Sequence, residues 1–198
     1  MAKVIQFPGP QPEKFGPIRA RRKKGTGLEK HGQLNLFTGG KVIALHQLSL
    51  FEEALALDDH GDLEAAKTAY LKAIDAEENV ADAYCNLGII EFQQDQQALA
   101  IDYLSRSLES NPRHYEAHYN LANVYGELGN FKLAKAHYEI SIQIEPGFAN
   151  NYFNLGLTLA MNKEYKLAVE AIEQYIQHSP GEDHSTTMSV LDKLRSTY

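Results

Sequence analysis

Three asparagines recur along this chain at a constant spacing of 34 residues: Asn86, Asn120 and Asn154. A side-chain amide carries two N–H donors and a carbonyl acceptor, so it can pair with both the N–H and the C=O of an extended polypeptide. Such pairing depends on the bound backbone and not on its sequence. The spacing therefore predicts a ladder of backbone-binding amides, provided that the fold repeats with the same period.

Residue types that support catalysis or metal binding are present but do not converge. His114 and His118 share one helix face at a spacing of four, with His137 available from a paired helix, but a metal site needs three or four convergent donors. We expect His118 to be a packed imidazole. Cys85 has no nearby His or Lys in sequence to activate it, and Gly39-Gly40-Lys41 lacks the rest of a phosphate loop. We therefore expect no catalytic residues, no metal and no cofactor, and hence no enzyme.

Composition and the apolar residues near the start of the chain indicate its cellular compartment. The 198 residues contain one cysteine and no apolar run near the roughly 18 residues that cross a bilayer. The apolar start, residues 1–8, is short and soon broken by Pro8. These features predict a cytoplasmic protein without membrane insertion.

Charge divides the chain into a basic arm and an acidic body. Residues 1–46 hold nine Lys or Arg against two Glu, whereas residues 47–198 hold ten against 24 Asp or Glu. The arm also contains several Pro and Gly and the basic run from Arg19 to Lys24. Because it can bury little apolar surface to offset the entropy of ordering, we expect the arm to be disordered.

Small and apolar residues follow the same 34-residue period as the asparagines. The recurring positions are Leu87-Gly88, Leu121-Ala122 and Leu155-Gly156; Ala66, Ala100, Ala134 and Ala168; and Pro112, Pro146 and Pro180. They predict an all-α fold with repeats at 47–80, 81–114, 115–148 and 149–182, each a pair of helices. Residues 183–198, with Met188, Leu191 and Leu194 on one side, predict a final helix that caps the last pair.

The period and the pattern Tyr84, Leu87, Gly88, Ala100 and Pro112 closely resemble the tetratricopeptide repeat (TPR) family. The resemblance covers about three quarters of the chain and weakens in the first repeat, where Glu53 and Glu78 replace the usual Leu and Pro. It implies a right-handed superhelical array of four helical hairpins, in which the first helix of each hairpin lines a concave groove.

On that face the resemblance places a trough of apolar residues and amides. Its members are Phe51, Asn86, Ile89, Phe92, Tyr119, Asn120, Asn123, Phe153, Asn154 and Leu157. The implied function is that of a scaffold or adaptor that binds an extended peptide or helix of a protein partner.

The charges beside the amides indicate which partner the groove would accept. Chaperone-binding members have Lys and Arg there, but this chain has Asp82, Glu116 and Asn150. We therefore expect a neutral or basic partner. The chain's own arm around Arg19 to Lys24 is the nearest basic segment, and we expect it to screen the groove, so that deletion of residues 1–30 raises the affinity for partner peptides at low salt.

Two further hypotheses about the function of the arm remain open. Gln33, Leu34, Leu36 and Phe37 form a Gln-Leu-x-Leu-Phe motif that resembles the peptide with which bacterial replication proteins dock into the sliding clamp. A second copy at 47–51 overlaps the first repeat helix, so only the first copy is expected to be accessible. The alternative function is thus a replication-associated adaptor. Nucleic-acid contact by the basic run is the other reading, but the run lacks interleaved aromatics, which favours a solvated tail.

Overall fold

The computed structural model describes residues 17–20 and 48–197. These residues form nine α-helices and, within the same ranges, no strand: α1 (Leu50–Asp59), α2 (Leu63–Asp75), α3 (Val80–Gln93), α4 (Gln97–Ser110), α5 (Tyr115–Glu127), α6 (Phe131–Ile144), α7 (Ala149–Met161), α8 (Tyr165–His178) and α9 (Ser185–Arg195). The predicted all-α fold is confirmed. Most of the arm, for which disorder is predicted, lies outside the described residues. No described helix has the length and apolar character needed to cross a membrane.

The described residues fall into two compact units. The N-terminal unit comprises residues 19–20 and 48–111 with helices α1 to α4, and the C-terminal unit comprises residues 17–18 and 112–197 with helices α5 to α9. In each unit successive helices pack as hairpins, α1 on α2 and α3 on α4 in the first, α5 on α6 and α7 on α8 in the second. Helix α9 packs on α8.

Local sequence signals define where the helices of the hairpins begin and end. Ser49 and Glu52 form a capping box at the start of α1, and the Asp62 side chain accepts a hydrogen bond from the first turn of α2. Gly61 and Gly129 lie in the turns inside two hairpins with φ values of 80° and 74°, a conformation that glycine adopts without steric cost. The chain reversals are thus encoded by a few residues at fixed places.

Close helix approach holds each of two hairpins together. A Cβ atom added at Gly88 would lie 2.7 Å from Cγ of Leu104, and one added at Gly156 would lie 2.5 Å from Cγ1 of Ile172. Both distances are shorter than carbon atoms tolerate, so no larger residue fits without displacement. The small residues at these repeat positions are therefore required by packing, as the period predicts.

Helix α9 caps the last hairpin through a somewhat different set of residues from the predicted one. Leu191 and Leu194 are buried as predicted, together with Val190 and Thr187. Met188 is 44% exposed, so its placement on the buried side is wrong. The apolar stripe of α9 runs through 187, 190, 191 and 194, which is the i, i+3, i+4, i+7 pattern of a helix face.

His118 and His137 pack against each other between α5 and α6. Their Nδ1 atoms are 3.0 Å apart, and His118 Nε2 lies 3.3 Å from the Pro112 carbonyl oxygen. Because a carbonyl only accepts, this geometry assigns the His118 proton to Nε2 and lets His118 Nδ1 accept from His137 Nδ1–H, so the His118 ring is neutral. Burial lowers the pKa of His118, and burial together with the neighbouring His118 lowers the pKa of His137 to about 4. The prediction of a packed imidazole at 118 agrees with this geometry.

The contact at Gly156 gives a stability prediction with an internal control. We expect Gly156→Ala to lower the free energy of unfolding by about 1–2 kcal/mol, because overpacking outweighs the gain in helix propensity. Gly126→Ala is the control, since its Cβ would meet Ala134 Cβ at an ordinary 3.9 Å. It should be neutral or stabilising by up to about 1 kcal/mol. Urea unfolding monitored by circular dichroism measures both, and equal effects at the two positions would contradict the packing argument.

The histidine pair gives a pH prediction. The unfolded pKa is about 6.5 and the folded pKa of His137 is about 4, so the neutral pair stabilises the fold above pH 6.5 and this contribution is lost as the pH falls towards 4. The equivalent positions one repeat earlier, Tyr84 and Tyr103, form a stacked pair with ring centroids 6.2 Å apart.

Replacing the histidines with that tyrosine pair, His118→Tyr/His137→Tyr, should therefore keep the packing and remove the titration. We expect the variant to lose less stability than the wild type between pH 6.5 and 4 in urea unfolding. Parallel pH profiles would show that the imidazoles are not responsible.

Candidate polypeptide-binding site

Asn86 lies near the middle of α3 and is fully buried in the N-terminal unit. Its Oδ1 accepts a hydrogen bond from the Ala20 backbone N–H at 2.7 Å, and its Nδ2 donates to the Ala20 carbonyl oxygen at 3.0 Å. Nδ2 also donates to the Tyr70 hydroxyl at 3.1 Å. One side-chain amide thus satisfies both backbone groups of a residue from the N-terminal arm.

Asn120 repeats this arrangement on α5 in the C-terminal unit. Its Oδ1 accepts from the Ile18 backbone N–H at 2.9 Å, and its Nδ2 donates to the Ile18 carbonyl oxygen at 2.8 Å. In an extended chain the N–H and C=O of alternate residues point to the same edge, as in a hydrogen-bonded pair of antiparallel strands. In each unit, one amide therefore pairs with one arm residue as a residue of a neighbouring strand would.

The residue between them, Arg19, makes a side-chain contact in the N-terminal unit. Its Nε lies 2.7 Å from Oδ2 of Asp58, and its Nη2 donates to Asp58 Oδ1 at 2.8 Å and to Gln93 Oε1 at 3.0 Å. The Arg19 and Asp58 side chains are only 15% and 4% exposed. Two parallel N–H groups on one carboxylate form a bidentate, charge-assisted pair, which is stronger than a neutral hydrogen bond.

Tyr70 orients the carboxylate that binds the arginine. Its hydroxyl donates to Asp58 Oδ2 at 3.1 Å while accepting from Asn86. Burial, followed by the Asp58 charge, raises the pKa of Tyr70 far above its usual value, so the hydroxyl stays protonated. A continuous chain of hydrogen bonds therefore links Asn86, Tyr70, Asp58 and Arg19.

Side chains flanking Arg19 are also enclosed. Ala20 is 0% exposed, and Ile18 packs against the apolar core of the C-terminal unit. Ile18, Arg19 and Ala20 are thus bound by backbone pairing, by an ion pair and by apolar contact.

Asn154, the third predicted amide, takes part in a different contact. Its Nδ2 donates to the Tyr119 hydroxyl and to Asn123 Oδ1, both at 3.0 Å, and Asn123 Oδ1 also accepts from the Tyr138 hydroxyl. Asn123 Nδ2 is buried without a hydrogen-bond partner in the described part of the chain. This polar network lies inside the C-terminal unit, and a role for Asn123 and Asn154 in binding a partner stays a prediction.

The predicted apolar members of the groove are mostly part of the helix packing. Phe51, Ile89, Tyr119 and Phe153 are buried, whereas Phe92 and Leu157 are half-buried. Phe51 packs on the Tyr70 ring at a centroid distance of 5.8 Å. These side chains support the helices that carry the amides, and contact of any of them with a partner stays a prediction.

Sequence reasoning missed Asp58, Gln93 and Tyr70 as functional residues. A signal was present for two of them, because Asp58 follows the predicted groove residue Phe51 by seven positions and Gln93 follows Asn86 by seven. Both spacings return to the same helix face. The role of Tyr70 was hidden because its ring is a core residue and only its hydroxyl contacts the site.

The first sliding-clamp motif, Gln33, Leu34, Leu36 and Phe37, lies outside the described residues. In the second copy Ser49 caps α1 and Phe51 is fully buried. That copy is part of the fold and does not present its aromatic side chain for docking.

Two family models described as tetratricopeptide repeat match residues 51–114 and 115–148, which together carry both amides that bind the arm. The chain belongs to the tetratricopeptide repeat family. Helices α1 to α6, apart from Leu50, fall within the matched ranges.

Relatives of this TPR chain include proteins of quite different size and description. It is 44% identical over 102 residues to protein O-mannosyl-transferase TMTC3 of Homo sapiens, an alignment that covers 49% of the chain and 11% of that protein. It is 25% identical over 164 residues to Hsp70-Hsp90 organizing protein 2 of Arabidopsis thaliana, covering 82% of the chain and 28% of that protein. The chain therefore spans less than a third of either relative.

Solved structures show the same TPR fold. MamA aligns with a TM-score of 0.60 and 28% identity, covering 66% of this chain and 77% of MamA. The first TPR of Spaghetti (RPAP3), bound to an HSP90 peptide, aligns with a TM-score of 0.55 and 18% identity, covering 59% of this chain and 90% of that domain. At that identity the second likeness concerns the fold alone.

The contacts of residues 18 and 20 predict protection of the arm from proteolysis. Loss of both amides in Asn86→Ala/Asn120→Ala removes four hydrogen bonds to the arm backbone, so we expect trypsin to cleave after Arg19 at least about tenfold faster, since each bond contributes roughly 0.5–1.5 kcal/mol. Limited digestion followed by mass spectrometry measures the rate at that bond. Gln143→Ala, which removes an exposed amide from α6, should leave the rate unchanged. Equal cleavage in all three proteins would contradict the binding of the arm by the amides.

Proposed function

We propose that this TPR chain is a protein-interaction module that binds an extended segment of a partner polypeptide by its backbone, and that residues 17–20 occupy this site in the free protein. The observation that carries the proposal is the two-way pairing of Asn120 with Ile18, which Asn86 repeats with Ala20. Any extended chain with free N–H groups at alternate residues can form this backbone pairing.

Burial of the amides supports a binding role over a purely structural one. Asn86 and Asn120 are 0% and 1% exposed, and a buried amide is costly unless its donors and acceptor are paired. Part of that pairing comes from the backbone of Ile18 and Ala20. The amides thus pair with an extended segment as well as with the helices that carry them.

The tethered arm acts as an intramolecular competitor in this proposal. Because the arm belongs to the same chain as the site, its binding is intramolecular and competes with any partner that binds from solution, even if its own affinity is weak. The apparent dissociation constant of a partner then rises by the inverse of the fraction of molecules whose site is open. A partner must therefore bind more tightly than the arm, or the arm must be removed first.

The charge of the occupant indicates the class of partner. Arg19 pairs with Asp58, and the sequence predicts a neutral or basic ligand from Asp82 and Glu116. The HSP90 peptide bound to the Spaghetti domain, SRMEEVD, is in contrast acidic at its end. We propose a neutral or basic segment as the ligand of this chain.

A peptide supplied in trans tests the proposal. The probe is a fluorescent peptide with the sequence of residues 16–24, and the receptor is the full-length chain with Ile18→Pro/Ala20→Pro, which removes the two arm N–H donors. Because the competitor is weakened, we expect this variant to bind the peptide at least about tenfold more tightly than the wild type in fluorescence anisotropy. Adding Asn86→Ala/Asn120→Ala to the variant should abolish the gain.

Two controls separate backbone binding from charge attraction. A peptide methylated on the nitrogens that correspond to Ile18 and Ala20 keeps every side chain and charge but loses both donors, so it should not bind. The Ile18→Val receptor keeps both arm donors and leaves Ala20 unchanged, so it should resemble the wild type. Undiminished binding of the methylated peptide, or by the receptor without the amides, would refute the proposal.

A further inference from the structure

The ion pair of Arg19 has the geometry of a specificity pocket. Its guanidinium places Nε and Nη2 on the two oxygens of Asp58 and reaches Gln93 with Nη2. The next residue, Ala20, is fully enclosed while Asn86 binds its backbone. The side-chain contact and the backbone contact thus lie next to each other in the N-terminal unit.

We propose that Asp58, Gln93 and Tyr70 form an arginine-recognition pocket, and that the partner segment carries an arginine followed by a small residue. The inference rests on the proposed function, because it names the side chains that a backbone-bound ligand must present. Backbone pairing supplies affinity for any extended chain, and the pocket supplies the selection.

Guanidinium chemistry explains why the ligand is arginine and not lysine. Asp58 accepts two parallel N–H groups from one side chain, a geometry that the planar fork of arginine provides and a lysine ammonium does not. The Tyr70 hydroxyl holds Asp58 Oδ2 on its other side, so the carboxylate has a fixed orientation before the ligand arrives. Gln93 accepts one further N–H and distinguishes the guanidinium from a single-point donor.

Enclosure of Ala20 explains the second part of the motif. At 0% exposure Ala20 is enclosed by neighbouring atoms, so we expect a side chain as large as leucine to move the residues around it. A bulky residue after the arginine is therefore selected against at the same time as Asn86 binds the backbone.

The preference for an arginine followed by a small residue also explains which arginine of the arm pairs with Asp58. In the basic run, Arg19 is followed by Ala20, whereas Arg21 is followed by Arg22 and Arg22 by Lys23. Arg19 is thus the one arginine of the run that precedes a small residue, and it is the arginine that the Asp58 carboxylate binds. Electrostatic attraction alone would not distinguish it from its neighbours.

Peptide variants test the pocket on the full-length Ile18→Pro/Ala20→Pro receptor. Citrulline at the position of Arg19 keeps the shape and removes the charge, and we expect it to weaken binding by at least about tenfold, since hydrogen bonds to charged groups contribute roughly 1.5–3 kcal/mol. Lysine at the same position should also bind more weakly than arginine, and leucine in place of Ala20 should abolish binding. Isothermal titration or anisotropy gives the ratios.

Receptor variants assign the effect to Asp58. Asp58→Asn keeps the shape and the acceptor for Tyr70, so it should remove most of the preference for arginine over citrulline. Asp59→Asn removes the same charge from the neighbouring exposed position on α1 and should preserve that preference. Gln93→Ala, at an exposed position, should reduce it, and circular dichroism verifies that each variant folds.

The outcomes separate this inference from the function on which it rests. If arginine, lysine and citrulline peptides bind equally while the N-methylated peptide does not, the pocket is refuted and backbone binding stands. If the preference survives Asp58→Asn, the pocket is assigned to the wrong carboxylate and the inference fails. If no peptide binds the open receptor, the proposed function itself fails.

Discussion

A buried side-chain amide in a helix must find partners outside the helix backbone, and in each unit one such amide pairs with a residue of the arm. Asn86 and Asn120 lie among core residues, yet each satisfies its carbonyl oxygen with an N–H from the arm. The helices around them are held by close contacts at Gly88 and Gly156, which fix where α3 and α7 meet their hairpin partners. The packed helices thus present two amides that pair with the backbone of an extended segment.

The sequence predicts what is periodic in this structure. The all-α fold, the repeated hairpins and the importance of small residues all follow from a 34-residue period, because stacking similar hairpins places equivalent residues in equivalent surroundings. The same period singles out Asn86 and Asn120 before any coordinates are known. The sequence determines less well which face of α9 is buried, since α9 belongs to no repeat. Met188 is accordingly predicted on the buried face but is exposed.

What the sequence does not reveal comes from contacts without a period. Arg19 and Asp58 are 39 positions apart, and neither has a counterpart at the repeat spacing that would mark it. Tyr70 reads as a core aromatic, and its hydroxyl gains a role only once Asp58 and Asn86 are placed on either side of it. Net charge predicts that the basic arm and the acidic body attract each other, but charge alone does not select one arginine from a run of them.

In the proposed function, binding of the arm at the two amides limits how fast a partner binds. When a tethered segment must leave before another chain can enter, the rate of complex formation stops rising with partner concentration and levels off at the rate of segment departure. The strength of the ion pair and of the four backbone hydrogen bonds would then determine this maximum rate of complex formation. Cleavage or modification of the arm would change the rate without any change in the helices.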